Sequence, residues 1–481
     1  MTGVSDSLNT LGLDVASGNR RSFLDTPSTP SGRRTLGASA GLFTSGSVYS
    51  SSSASAEEKV VLDLGTYTLR AGFSGDAHPL HKEDLYGTYG TESDTYLQRP
   101  VVQRHGLLPK AHASEESEQM DALLECALLE HLRHVYRDHL LVDAKTKKVA
   151  IVESPMLPAP VKRTLTRVLL GNLRVPQVSF FPAPVLALMT CGRTTGLVVD
   201  CGHRVTTVTP VYDSRPLHSY TVATPLAGQS VHDTVRALVR RFAVIESLRD
   251  SPPVALSKFA RSDNIDSILT DAVVRHIVTK LLYASPVTPP PHILAMLDGC
   301  RLDTDSLDRE LVEWFQANAS GPADQRDTRF ALTTDVHDMR GVLAMPSWIR
   351  ERSAEVLLAG DKTADHMGTI DALIACIAKT PVDTRRALVR SILVTGGVAN
   401  MPNFSARVLQ DLRLRLESMP RWRALAKDAA LADCGSNGSL FAAADRPWIG
   451  ASLAVAAKIG GVDVRRDEFD ESPSELLSRL D

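Results

Sequence analysis

Lys59-Val60-Val61-Leu62-Asp63-Leu64-Gly65-Thr66-Tyr67-Thr68-Leu69-Arg70-Ala71-Gly72-Phe73 reads as an apolar strand, a tight Asp-x-Gly turn and a returning strand. The same order recurs at Gly196-Leu197-Val198-Val199-Asp200-Cys201-Gly202-His203-Arg204-Val205-Thr206-Thr207-Val208. Recurrence at so wide a separation points to two related halves of one architecture, because a solenoid would repeat at a far shorter period. A third glycine turn follows an apolar run at Ser391-Ile392-Leu393-Val394-Thr395-Gly396-Gly397.

Such turns suit phosphate chemistry. Consecutive backbone N–H groups point into one concavity, and glycine lets the chain approach closely. Asp63 and Asp200 end their strands, where a carboxylate holds the waters around Mg²⁺. Gly65 and Gly202 follow two residues later, Thr66 supplies a hydroxyl, and Arg70 and Arg204 are cations for a phosphate tail. Gly396 and Gly397 offer a flat backbone surface to a nucleoside. One Asp-x-Gly after an apolar strand is a common turn; two copies followed by a glycine pair, in this order, are specific. Cys201 and His203 can be read as a thiol beside its base, but a modified turn without chemistry is the expectation, since adjacent side chains in a hairpin tend to point apart.

Between the hairpins, Leu124, Ala127, Leu128 and His131 share one face of a helix over 120–132, with His131 at a core edge. A strand over 148–153 and a helix over 159–173 follow, the alternation of an α/β fold. A helix over 231–242 precedes a Pro-rich stretch containing Ser285-Pro286-Val287-Thr288-Pro289-Pro290-Pro291, which reads as a surface insertion near 284–330. A last helix over 404–417 follows the glycine pair.

The 481 residues are 43% hydrophobic, enough for a sizeable core. A net charge of −3 gives no basic excess for nucleic-acid phosphates, so no nucleic-acid partner is expected. The six cysteines stand singly, as reduced intracellular thiols do. No apolar run reaches bilayer length, so direct membrane insertion is not expected either. Residues 1–56, rich in Ser, Thr and Gly, read as a disordered tail, and the start of the chain lacks a secretory pattern.

From Lys59 onward the chain resembles the actin family. The resemblance is carried by both hairpins, Ala71-Gly72-Phe73-Ser74-Gly75-Asp76, Pro225-Leu226-Ala227-Gly228, Val382-Asp383-Thr384-Arg385 before the glycine pair, Trp448-Ile449-Gly450, and Asp467-Glu468-Phe469-Asp470-Glu471-Ser472. It implies an actin fold: two related α/β domains, ribonuclease-H-like and each with an inserted subdomain, around a nucleotide cleft. The implied divisions are a small domain over 57–192, a large domain over 193–400, and a segment over 401–481 that ends the large domain and returns to the small one. ATP or ADP with Mg is the implied ligand, held structurally.

The departures from the family pattern are chemical. Tyr67 replaces a glycine of the first turn, and His203 and Arg204 bring bulk and charge into the second. The water-orienting glutamine and the histidine behind it align with Ala183 and Thr207, and the lysine against the base aligns with Ala444. Losing one preorganised polar group costs about a hundred- to a thousand-fold in rate, so no catalytic residues are assigned and a degenerate ATPase cleft is expected.

Asp200-Cys201-Gly202 with Arg204, His139-Leu140-Leu141-Val142-Asp143, and Thr380-Pro381-Val382-Asp383-Thr384-Arg385 look similar to the divergent actin-related proteins at the pointed end of dynactin. That similarity implies a cytoplasmic, cytoskeletal subunit whose partners are dynactin's actin-like filament subunits and its other pointed-end subunits. The barbed-face pattern at 159–173 and 448–472 is retained, and the stretch between Asp76 and Lys110 is unlike the family's pointed-end loop. Two alternatives stay open: a nuclear actin-related subunit of a chromatin-remodelling complex, and an ATPase with a relocated catalytic residue.

Overall fold

β1 (Val60–Leu64) sets the pattern of the first half. Val60 and Leu62 enter one core and Val61 enters another, because successive side chains of a strand point to opposite faces. β2 (Thr68–Phe73) returns antiparallel with Arg70 opposite Asp63, and β3 (His81–Asp84) pairs antiparallel with β2. α1 (Ala113–His134) turns Leu124, Leu128 and Leu132 into the core, four residues apart. His131 lies at its edge, with Nε2 3.4 Å from Glu83. β4 (Val149–Glu153), α2 (Ala159–Arg167) and β5 (Gln177–Pro182) complete a β3-β2-β1-β4-β5 order in which β1, β4 and β5 run parallel. α3 (Ala183–Met189) leads out of this half.

The second half repeats the order. β6 (Gly196–Cys201) and β7 (Thr206–Tyr212) form the second hairpin with Asp200 opposite Thr207. β8 (Arg215–Pro216) and β9 (Val222–Thr224) both pair with β7. α4 (Gly228–Phe242) buries Val231, Val235, Leu238 and Val239 along one stripe. An antiparallel sheet of β10 (Val244–Ser247), β11 (Val254–Ala255), β12 (Asp327–Leu332) and β13 (Gly341–Pro346) is inserted here. It is accompanied by α5 (Asp271–Lys280) and followed by α6 (Trp348–Ala359). β14 (Ile392–Thr395) then lies parallel to β6, with Thr395 beside Asp200. The position of a fifth strand is reduced to a parallel bridge between Ile392 and Leu431. This is an actin fold, with each half a ribonuclease-H-like sheet.

Within 401–481 the chain changes halves. α7 (Phe404–Ser418) packs Phe404, Val408, Leu412 and Leu416 into the second core. α8 (Arg446–Ala456) lies on the first sheet, with Trp448 fully buried and its Nε1 donating to the carbonyl of Val61 at 3.0 Å. Gly450 touches the backbone of Leu186 in α3, which explains the Trp-Ile-Gly signature as a close helix crossing. β15 (Val462–Arg465) closes the first sheet against β5.

The structure, a computed structural model, describes residues 58–84, 113–247, 254–256, 268–293, 309–318, 327–332, 341–361, 364–432 and 440–479. The expected tail over 1–56, most of the stretch expected to differ from a pointed-end loop, and much of the Pro-rich insertion lie outside them. The described start of that insertion is pinned. Arg407 donates to the carbonyls of Ser285 and Val287 at 2.8 and 3.1 Å, and Thr288 donates to Asp411 at 2.6 Å. Arg407 is itself held by Glu355 and Asp411, all three deep in the second half. Burial pushes the Glu355 carboxyl up to about 7 against the pull of Arg407.

Candidate functional site

The two hairpins close with the same hydrogen bond. Gly65 N–H donates to the carbonyl of Thr68 at 3.1 Å, and Gly202 N–H to that of Val205 at 3.2 Å. A Cβ on either glycine would meet the accepting carbonyl oxygen at 2.8 or 3.0 Å, which is why a glycine stands at each turn. β14 runs beside β6, so the turn at Gly396 lands on the second hairpin.

Between the halves lies a cavity of about 540 Å³. Asp63, Gly65, Thr66, Arg70, Asp200, Gly202, Arg204, Gly396 and Gly397, the residues singled out in the sequence, all line it. Ala183, Thr207 and Ala444 line it too, where the family's polar groups were expected to be missing.

The two aspartates differ. Asp63 accepts from Arg70 Nη1 at 3.1 Å. Burial still leaves its carboxyl above the usual carboxylate range, with Arg70 opposing. Asp200 has no hydrogen bond to its carboxylate among the described residues, and burial, with Asp63 adding, pushes it up to about 6. A buried carboxylate left to a cavity is suited to a hydrated divalent cation, which would relieve that penalty. Among the described residues no cluster of His, Cys, Asp or Glu is gathered to bind a metal directly, and no helix is long and apolar enough to cross a membrane.

Arg70 lines the cavity and also has carboxylate partners. Its guanidinium, expected on a phosphate tail, is taken up by carboxylates: Nη1 by Asp63, and Nε by Asp445 at 2.8 Å. Asp445 also accepts from Lys82 at 2.9 Å. Burial acts to raise the Asp445 carboxyl, but the hydrogen bonds from Lys82 and Arg70 outweigh it and leave it below the usual range. Arg70 thus ties the first hairpin to the returning C-terminal segment.

Aromatic rings stand in the interval between the turns. The Tyr67 ring reaches across to His203, with ring centroids 4.4 Å apart, and stands 6.0 Å from the ring of His232. At the start of α4, Gly228 N–H donates to the carbonyl of Gly202 at 3.0 Å and Gln229 N–H to that of His203 at 2.7 Å. Free N–H groups at a helix start are natural anion donors; here two of them are engaged by the turn. A cation at Asp200 fits these residues. A phosphate tail between the turns, the expected place for ATP or ADP, does not fit with Tyr67 where it lies.

Neither imidazole is tuned for general-base work near pH 7. Burial holds His203 down to about 3, with His232 and Arg204 adding, and holds His232 down to about 4, with Arg236 and Arg275 adding. Burial and Asp200 push the Cys201 thiol up to about 12, in keeping with an inert turn cysteine. Sequence reasoning missed His232, Arg275, Lys82 and Asp445. They come from separate elements and carry no local signal.

Two halves with one strand order, joined at paired Asp-x-Gly hairpins with a glycine turn laid on the second, define an actin-type molecule. The sequence matches the family model described as Actin over residues 54–277 and 323–479, and the chain belongs to the actin family. It is 24% identical over 370 residues to Centractin of Saccharomyces cerevisiae, with 74% of this chain and 82% of that protein covered.

Proposed function

We propose that the chain is a non-catalytic, structural actin-related subunit of dynactin. It caps the pointed end of the short actin-like filament and supports dynein-based transport in the cytoplasm. The observation that carries this reading is the similarity to Centractin across 82% of that protein's length, joined to a cleft lined by Ala183 and Thr207, the residues that align with the family's water-orienting glutamine and histidine. A methyl group at Ala183 cannot orient water, and Thr207 sits opposite Asp200 in the hairpin ladder. The activity therefore moves from the cleft to the outer faces. α2, α8 and β15, which carry the barbed-face pattern, are each anchored in the first half's cores, so that face is fit to dock on a filament subunit.

Mass spectrometry of proteins that co-purify with a tagged copy from cells tests the proposal. Dynactin components at a fixed ratio to the chain are expected. Recovery of chromatin-remodelling subunits in their place overturns it in favour of the nuclear alternative.

A further inference from the structure

We infer that Tyr67 is an internal clasp: its ring, held by His203, His232 and Arg275, closes the two halves in place of the phosphates of a bound nucleotide. Tyr67 sits at the tip of the first hairpin, and its three neighbours come from three elements of the second half: the second turn, α4 and α5. The His203 ring lies 4.4 Å away, the His232 ring 6.0 Å, and the Arg275 guanidinium stands over the Tyr67 ring at 5.5 Å from its centroid. His203 and His232 meet edge to face at 5.5 Å, so the second-half side of the clasp is itself packed.

A second link crosses the same boundary. Arg275 also pairs with Asp84 of β3 at 3.1 Å, and Asp84 accepts from Thr68, the residue after Tyr67, at 3.2 Å. One arginine therefore holds both the ring and the strand beside it. Aromatic contacts of this kind, and a cation over a ring, each stabilise beyond the area they bury. Their convergence on one side chain concentrates the closing force at the tip of the hairpin.

The surrounding groups are suited to a ring and not to an anion. The imidazoles are held neutral by burial, and two N–H groups of the α4 start are bound to the second turn. A nucleotide's phosphates would have to expel the ring before reaching either turn. The closed pose is then intrinsic to the chain, whichever filament or complex it joins.

The test uses the purified full-length chain. Acid extraction and chromatography measure the nucleotide bound, thermal unfolding with and without MgATP measures its effect on stability, and X-ray scattering measures the opening of the halves. For the wild type we expect nucleotide well below one per chain and a melting temperature that MgATP raises no further than Mg²⁺ alone. Tyr67→Ala should lower the melting temperature, widen the molecule and bind MgATP at least about tenfold more tightly, whereas Tyr67→Phe keeps wild-type behaviour. Stoichiometric nucleotide whose removal destabilises the wild type overturns the inference. So does a Tyr67→Ala chain that matches the wild type in stability and dimensions. If Tyr67→Ala does not fold, His232→Ala, which removes one face of the clasp, is read in the same way: a loss of stability with widening supports the clasp, and wild-type values overturn it.

Discussion

The Cβ that Gly396 lacks would stand 2.5 Å from Asp200 Oδ1 and 2.4 Å from the carbonyl oxygen of Cys201. Gly396 also has φ +93°, a conformation that side-chain-bearing residues rarely adopt. Its turn and the second hairpin are therefore one packed unit, fixed by the parallel pairing of β14 with β6.

Gly396→Ala should lower the unfolding free energy by roughly 2 kcal/mol, through backbone strain added to the clash with the second turn. Denaturant unfolding measures it. A change within experimental error would mean that the third turn does not rest on the second.

The buried Glu355–Arg407 pair holds the start of the Pro-rich stretch. Arg407→Ala leaves Glu355 buried without its partner and should cost about 3–5 kcal/mol. The double change Arg407→Met with Glu355→Leu removes both charges and should recover most of that loss. A single variant no worse than the double, both followed by urea unfolding, would contradict the account.

Acid should act on the cleft through His232, whose own contribution has a definite sign. An imidazole ordinarily titrates near 6.5, and burial with Arg236 and Arg275 holds this one down to about 4. As pH falls the unfolded chain takes the proton first. The stability associated with neutral His232 is thus complete above 6.5 and is lost as pH drops toward 4, at up to about 1.4 kcal/mol per pH unit. His232→Gln should flatten the dependence of unfolding free energy on pH across that window. Parallel curves for variant and wild type would speak against the buried, neutral state.

If Ala183 and Thr207 stand in place of the groups that orient the attacking water, as the proposed function holds, steady-state phosphate release from MgATP should not exceed the background set by Asp200→Ala. Turnover that the Asp200 substitution abolishes would instead reveal an ATPase with a relocated catalytic residue.

The hairpins were legible because their signal is local: an apolar strand, an aspartate, and a glycine that cannot carry a Cβ against the next carbonyl. Their recurrence, followed by Gly396-Gly397, carried the fold and brought the nine predicted cleft residues to one cavity. What stayed hidden depends on distant partners. Arg70 looked available for phosphate until Asp445, 375 residues further along the chain, met it. The helix predicted from 231 begins at Gly228 because carbonyls of the second turn cap it. The Pro-rich stretch reads as surface by composition, and only Arg407, from a helix far beyond it, shows that its start is anchored. Tyr67 and His203 were visible as bulk in two turns, but their contact with each other required both halves to be in place.

The proposed function has this actin-family chain end a filament without turning over nucleotide. Electron microscopy of purified dynactin carrying a labelled copy of the chain tests that role. One label per particle is expected, at the pointed end of the actin-like filament. Labels distributed along the filament, or particles without any, would contradict it.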